Sequence, residues 1–178
     1  MTNGQLSAPA SIAVRFRQVR QRTLDLCSSL SAEDLLVQSM PDASPGKWHL
    51  AHTSWFFEQF VLGYDPAYRP REPAWHYLFN SYYESVGPMH ARPQRGLLSR
   101  PSLDEVRGYR HYVDDAVGEL LAGNDDAELA ALVELGLQHE QQHQELLLTD
   151  IKHAFWCNPL QPAYRALPPA AMSTKAVP

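Results

Sequence analysis

The chain has 178 residues, 44% of them hydrophobic and 20% charged, which is the composition of one folded domain with a sizeable core. A net charge of −5 argues against nucleic acid as a partner, because nucleic-acid binding needs a basic face. No apolar run reaches 18 residues, and residues 1–10 lack a signal-peptide core, so we expect no membrane partner and a cytoplasmic location.

The first segment is predicted to be an amphipathic helix. Over residues 11–30, apolar side chains recur at helical spacing and form one broad stripe. The same segment contains four arginines, which we interpret as a solvated helix face: Arg15, Arg17, Arg20 and Arg22. Residues 31–37 follow as a short helical piece with Ser31 as its cap.

The next helix is predicted to be buried. Ser44 and Pro45 form a typical helix start, with a capping hydroxyl before a proline at the first helical position, and Gly63 marks the end. Between these points the side chains are apolar nearly all round, which indicates a helix packed on every side. This helix also carries His49 and His52.

A long excursion is predicted in the middle of the chain. Residues 64–101 are rich in proline and aromatic side chains, with a short helix expected near residues 75–84 and an irregular loop over residues 87–100. A connection of this length inside a compact domain is usually functional.

Two further helices are predicted in the second half. Ser102 and Glu105 form a capping box that opens a helix ending at Gly123. The last helix is expected from about Asp125 to just before Asn158, which precedes a proline.

These elements predict an all-α fold, an up-and-down four-helix bundle with a long irregular middle excursion. We expect the bundle to span residues 1–165. Residues 166–178 form a tail rich in proline and alanine, which resembles an interdomain linker.

The last helix contains an H-E-x-x-H pattern. His139 and His143 are four residues apart and share one helix face, so both imidazoles can bind one metal ion. The same pattern occurs in zinc metalloproteases, where the glutamate, here Glu140, is the general base.

The sequence downstream argues against a protease. The extended protease pattern needs a glycine and a histidine where this chain has Leu146 and Thr149. Asp150 and His153 lie about 10 and 15 Å along the helix axis from His143, which is too far for a shared site while the helix continues.

A third ligand is therefore expected upstream. Metal sites in helical bundles are built from side chains on facing helices, and the buried second helix offers His49 and His52. The spacing of residues does not choose between them.

Several separated motifs resemble one known family. The chain is similar to the N-terminal DinB-like domain of the ergothioneine biosynthesis sulfoxide synthases from about residue 31 to residue 164. The motifs that carry this resemblance are residues 42–52 (DASPGKWHLAH), 78–84 (LFNSYYE), 92–98 (RPQRGLL) and 139–153 (HEQQHQELLLTDIKH).

The resemblance implies a nonhaem iron(II) site. In the family, a four-helix bundle holds the iron through three histidines, the first of which ends the W-x-L-A-H string. Matched by position, the ligands are His52, His139 and His143. Three neutral imidazoles leave coordination positions open for a thiolate and O₂.

The resemblance also implies a reaction and its substrates. The family joins a cysteine-containing thiol to the imidazole of Nα-trimethylhistidine, with O₂, and forms a sulfoxide. Arg92 and Arg95 match two family arginines that bind the carboxylates of the thiol substrate, and Gln142 matches a glutamine near the trimethylhistidine ring. Guanidinium groups suit carboxylates because they bind them in a bidentate fashion.

Family members continue into a second domain that resembles formylglycine-generating enzymes and supplies the catalytic tyrosine. We therefore expect this chain to be an N-terminal half that binds metal and needs the missing domain, in cis or in trans, for the full reaction. For that reason no catalytic residue is assigned within the chain. Two alternatives stay open: a DinB-like zinc- or nickel-dependent thiol S-transferase, and a non-catalytic metal-binding module.

Overall fold

The computed structural model describes residues 10–81 and 87–166, which form an all-helical bundle without strands. The predicted all-α bundle with a long middle excursion is confirmed. Short 3-10 turns occur at Asp34–Leu36, Leu62–Tyr64 and Arg92–Leu97. The α-helices are α1 (Ile12–Cys27), α2 (Gly46–Phe56), α3 (Trp75–Phe79), α4 (Leu103–Ala122) and α5 (Ala127–Cys157).

Helix α2 lies at the centre of the packing. It contacts both α4 and α5, while α1 packs mainly against α5 and also against α4. Every residue of α2 is buried, as the apolar sequence of this segment predicted. Trp48, Leu50 and Trp55 supply its largest contribution to the core.

The predicted start of α2 was wrong in its capping residue. Pro45 occupies the N-cap position, and the Ser44 side chain does not cap the helix. Instead, the Ser44 backbone N–H donates to Asp150 Oδ2 at 2.8 Å, and its hydroxyl accepts a hydrogen bond from Arg95 at 2.9 Å. Partners that are distant in sequence have therefore replaced the local capping interaction.

The end of α2 also differs from the prediction. The α-helical part stops at Phe56, and the chain continues as a π-helical turn over Phe57–Val61 before the 3-10 turn Leu62–Tyr64. The Phe57 ring packs on α5 at Gly136, where an added Cβ would lie 2.5 Å from the ring. The absent side chain at Gly136 therefore allows this close contact between the two helices.

The caps of the two later helices agree with the sequence. Ser102 and Glu105 form the predicted capping box at the start of α4. Asp126 caps α5, one residue after the predicted start, and α5 ends at Cys157. Helix α3 was expected near residues 75–84 and ends at Phe79, and residues 82–86 lie outside the described part of the chain.

Arg20 corrects the interpretation of the first helix as carrying only solvated arginines. Its side chain is 2% exposed, and its guanidinium contacts Asp114 at 2.5 Å and Glu140 at 3.0 Å. Arg17 and Arg22 are exposed, as predicted. Arg20 therefore joins α1 to α4 through Asp114 and to α5 through Glu140. Removing one partner of a buried ion pair such as Arg20–Glu140 typically costs about 3–5 kcal/mol.

The tail predicted as a linker lies almost wholly outside the described residues, which end at residue 166. Within the described part of the chain, none of the helices combines the length and apolarity needed to cross a membrane.

Candidate metal centre

Three histidines meet where α2 faces α5. His52 on α2 and His139 and His143 on α5 place one ring nitrogen each within 4.8 Å of one another. The Nε2 atoms of His52 and His139 are 3.2 Å apart. Two imidazoles on one ion, each at about 2.0–2.1 Å, hold their nitrogens roughly 3.0–3.4 Å apart, so the three residues could bind a metal ion.

Burial keeps these imidazoles neutral. It lowers the pKa of His52 well below its ordinary value, with a further contribution from His139. It lowers the pKa of His139 to about 4, and it lowers the pKa of His143 further, helped by the neighbouring rings. Neutral rings with available lone pairs are the form that binds metal.

His52 is oriented by its neighbours. Its ring stacks against Trp48, with centroids 4.5 Å apart, and against Trp55, with centroids 5.5 Å apart. Its Nδ1 lies 2.6 Å from the carbonyl oxygen of Phe79, which can only accept a hydrogen bond. Nδ1 therefore carries the proton, and Nε2 is left with its lone pair directed at the other two histidines.

His139 is held by stacking. Its ring lies on the Phe56 ring, with centroids 4.1 Å apart and an angle of 23° between the planes. Its Nδ1 is buried and has no hydrogen-bond partner among the residues that the structure describes. Aromatic packing and the 3.2 Å contact of its Nε2 with His52 Nε2 therefore orient this ring.

His49 lies behind His143 and outside the three-histidine group. Its Nδ1 is 2.9 Å from His143 Nδ1, and its Nε2 is 3.0 Å from Asp150 Oδ2. Burial lowers the pKa of His49, and the hydrogen bond to Asp150 opposes this shift only in part. Of the two upstream candidates, His52 is the one that joins His139 and His143.

Glu140 takes no part in this centre. The glutamate of the H-E-x-x-H pattern is fully buried and accepts hydrogen bonds from Arg110 at 2.5 Å, Arg20 at 3.0 Å and Thr23 at 2.5 Å. Burial alone raises the pKa of Glu140, but the two arginines outweigh it and bring that pKa below its ordinary value. A carboxylate fixed in this way is structural and is not available as a protease base.

The three histidines open into a cavity of about 180 Å³. The side chains matched to substrate binding by resemblance, Arg92, Arg95 and Gln142, line the same cavity. The structure therefore brings together all of the site residues proposed from sequence, although they come from α2, the 3-10 turn Arg92–Leu97 and α5.

Arg95 is fixed by contacts that the sequence did not predict. It is buried, and its guanidinium donates to the hydroxyls of Ser44 at 2.9 Å and Ser81 at 3.0 Å. The same group lies 3.4 Å from the centre of the Trp48 ring. Trp48 thus contacts both His52 and Arg95 and connects the histidine group to the Arg95 guanidinium.

A buried lysine fixes the other end of the arginine-containing loop. The ammonium group of Lys47 donates to the carbonyl oxygens of Leu98 at 2.6 Å and Pro101 at 2.8 Å. The loop therefore docks at the N-terminal end of α2 at two points, Lys47 in the first turn and Ser44 just before the helix, and this docking holds Arg95 beside the cavity.

Comparison with known protein families supports the fold. A family profile described as the DinB superfamily matches residues 15–147, which is most of the chain. The chain therefore belongs to the DinB superfamily, and within it carries a three-histidine group that could bind a metal ion. No curated protein matches the sequence.

The lowered pKa of His139 predicts how stability depends on pH. The pKa is about 4 in the folded chain and 6.5 for an ordinary histidine, so below pH 6.5 the unfolded chain binds more protons. The free energy of unfolding of the metal-free protein should then fall as pH decreases from about 6.5 to about 4. His139→Gln should reduce this slope by up to about 1.4 kcal/mol per pH unit.

Urea unfolding at several pH values in that range measures the slope. His111→Gln, which changes an exposed histidine on α4, is the matched control and should keep the wild-type slope. Equal slopes for wild type and His139→Gln would contradict the assignment of a neutral buried imidazole.

Proposed function

We propose that the chain is the iron-binding domain of a nonhaem iron(II)-dependent sulfoxide synthase in ergothioneine biosynthesis. The reaction couples a cysteine thiol to Nα-trimethylhistidine (hercynine) with O₂. One observation carries the proposal: three neutral imidazoles converge in a cavity that is also lined by Arg92 and Arg95. The motifs that resemble the synthase family contain these same residues.

The proposed reaction is balanced by O₂ alone. The thiol loses its S–H hydrogen and the imidazole of trimethylhistidine loses one C–H hydrogen as the S–C bond forms. One oxygen atom of O₂ becomes the sulfoxide oxygen, and the other leaves as water with the two hydrogens. O₂ accepts four electrons, so no other oxidant is needed.

The donor set suits iron(II). Three neutral imidazoles add no charge, so a divalent ion would keep its full charge toward a thiolate. His52, His139 and His143 would hold the ion on one side and leave positions open on the cavity side. When bound, iron would supply the redox reactivity with O₂ that Zn²⁺ lacks.

The two arginines suit a thiol substrate that carries carboxylates. Arg95 is held in place by Ser44, Ser81 and Trp48, so little side-chain entropy would be lost when an anion binds. Arg92 lies one 3-10 turn earlier in the same segment and lines the same cavity. A carboxylate bound at these arginines would bring a cysteine sulfur toward the histidine group.

The second substrate needs additional protein surface. A cavity of about 180 Å³ is smaller than the roughly 300–1,000 Å³ usual for sites that enclose drug-sized ligands. Gln142 is exposed at its edge, where it could contact a trimethylhistidine ring. We therefore propose that a second domain, in cis or in trans, completes the pocket for trimethylhistidine and supplies the catalytic groups.

The metal assignment can be tested by alanine substitution. His52→Ala, His139→Ala and His143→Ala should each reduce bound metal from one ion per chain to nearly zero, because two imidazoles do not hold the ion firmly. Elemental analysis after anaerobic purification and iron(II) loading measures this. His153→Ala is the control. His153 lies on the same helix, α5, but contacts the Ser39 hydroxyl by a hydrogen bond and does not line the cavity.

Two results would contradict the proposal. Full metal content in His52→Ala together with its loss in His49→Ala would show that the ligand set is wrong. A chain that binds zinc or nickel and rejects iron(II) would exclude the synthase and favour a thiol S-transferase of the same superfamily.

The substrate role of the arginines predicts a loss of thiol binding on a conservative change. Arg92→Lys should weaken the binding of cysteine or γ-glutamylcysteine about tenfold, because an ammonium cannot replace a bidentate guanidinium. Arg95→Lys should do the same, and iron content should not change. Anaerobic calorimetry of the iron-loaded chain measures the affinity.

Arg100→Lys is the matched control, because Arg100 is exposed at the end of the same loop and does not line the cavity. Wild-type thiol affinity in both Arg92→Lys and Arg95→Lys would remove these residues from the substrate site.

A further inference from the structure

A chain of hydrogen bonds leads from α5 through α2 and back to a histidine of the proposed metal centre. Asp150 Oδ2 lies 3.0 Å from His49 Nε2, and His49 Nδ1 lies 2.9 Å from His143 Nδ1. His49 is 2% exposed and the Asp150 side chain is 13% exposed, so solvent has little access to these contacts. Neither residue belongs to the three-histidine group.

The chemistry of the donors assigns each proton along this chain. A carboxylate only accepts hydrogen bonds, so His49 Nε2 carries a hydrogen and donates it to Asp150. A neutral imidazole has one N–H, and therefore His49 Nδ1 is an acceptor. The hydrogen between the two rings then belongs to His143 Nδ1, which leaves the lone pair of His143 on Nε2, the nitrogen not engaged by His49.

We infer that Asp150 and His49 form a positioning relay that fixes the tautomer and orientation of His143 and strengthens Nε2 as a metal donor. The inference rests on the proposed function, because it takes His143 as a ligand. Metal-binding histidines generally donate their second N–H to an acceptor that orients them, and removing that acceptor typically weakens metal binding about 10–100-fold. Here a second imidazole transmits the effect of a carboxylate to the ligand.

The other two histidines have no comparable partner among the described residues. His52 donates to the backbone carbonyl of Phe79, which is uncharged, and His139 Nδ1 is buried without a hydrogen-bond partner. His143 is thus the ligand candidate that hydrogen bonds connect to a carboxylate, through His49. The relay makes the three imidazoles unequal as donors, with His143 the strongest.

Asp150 also connects the metal centre to the arginine site. The same Oδ2 atom accepts the backbone N–H of Ser44 at 2.8 Å, and the Ser44 hydroxyl accepts from Arg95. One carboxylate therefore hydrogen-bonds both His49, which contacts the ligand candidate His143, and Ser44, which contacts the Arg95 guanidinium. Loss of Asp150 should therefore weaken metal binding and also displace Arg95. Loss of His49 should weaken metal binding and affect Arg95 less.

The relay can be tested with cobalt(II) as the probe and three variants of the full chain. His49→Phe removes the acceptor for His143 Nδ1 and should weaken cobalt(II) binding about 10–100-fold. His49→Asn offers an amide oxygen near the former Nδ1 position and should restore part of this loss. Asp150→Asn keeps an acceptor of the same shape without the charge, and should produce a smaller loss than His49→Phe.

Nitrogen NMR of the metal-free chain supplies a readout that a purely structural role would not change. In wild type, His143 should be the Nδ1–H tautomer, and in His49→Phe it should shift toward the Nε2–H form or a mixture. His153→Phe, on the same helix but away from the cavity, should leave cobalt(II) affinity and the His143 tautomer unchanged. Thermal unfolding of each variant shows whether it is folded. If His49→Phe is not folded, Asp150→Asn and His49→Asn test the relay in its place.

The outcomes separate the relay from the proposed metal site. If His52→Ala loses cobalt(II) while His49→Phe, His49→Asn and Asp150→Asn all bind it as wild type does, the relay is wrong and the metal site stands. An Nε2–H tautomer of His143 in the wild-type chain also overturns the relay. If His52→Ala binds cobalt(II) as tightly as wild type, the metal site itself is wrong, and the relay fails with it because His143 is then no ligand.

Discussion

The contact between α2 and α5 is the constraint on which the candidate site depends. It buries His52 against His139 and His143, and this burial lowers the pKa of all three imidazoles. The rings are therefore neutral near neutral pH, and their lone pairs are available to a cation without prior loss of a proton. The aromatic side chains of α2, Trp48 and Phe56, stack on two of these rings and limit their rotation.

The H-E-x-x-H segment contributes two histidines to the candidate site and one glutamate to the packing of the bundle. Consecutive residues of an α-helix point about 100° apart, since 3.6 residues complete a turn, so Glu140 faces different neighbours from His139. Glu140 binds Arg20 of α1 and Arg110 of α4, and thereby ties both helices to the helix that carries two of the three histidines. In metalloproteases the glutamate of this pattern is a catalytic base. Here it is a structural carboxylate, because the side chains next to it are two buried arginines.

Local features of the sequence predicted most of the fold and part of the site. The capping box at Ser102 and the four-residue spacing of His139 and His143 depend on near neighbours, so the sequence was sufficient for both. The burial of Arg20 depends on Glu140, 120 residues away, and no local pattern distinguishes it from an exposed arginine. Ser44 was misassigned as a helix cap for the same reason, because its partners, Asp150 and Arg95, come from distant segments. Asp150 did carry a signal: it lies seven residues after His143 and so on the same helix face.

The central claim is that three imidazoles hold iron(II) and leave room for a thiolate. Iron K-edge X-ray absorption of the anaerobically loaded chain, before and after addition of cysteine, tests it most directly. We predict scattering from three imidazole rings in both states and a new sulfur neighbour of the iron once cysteine is present. Fewer than three imidazoles, or an iron environment that cysteine leaves unchanged, would contradict it.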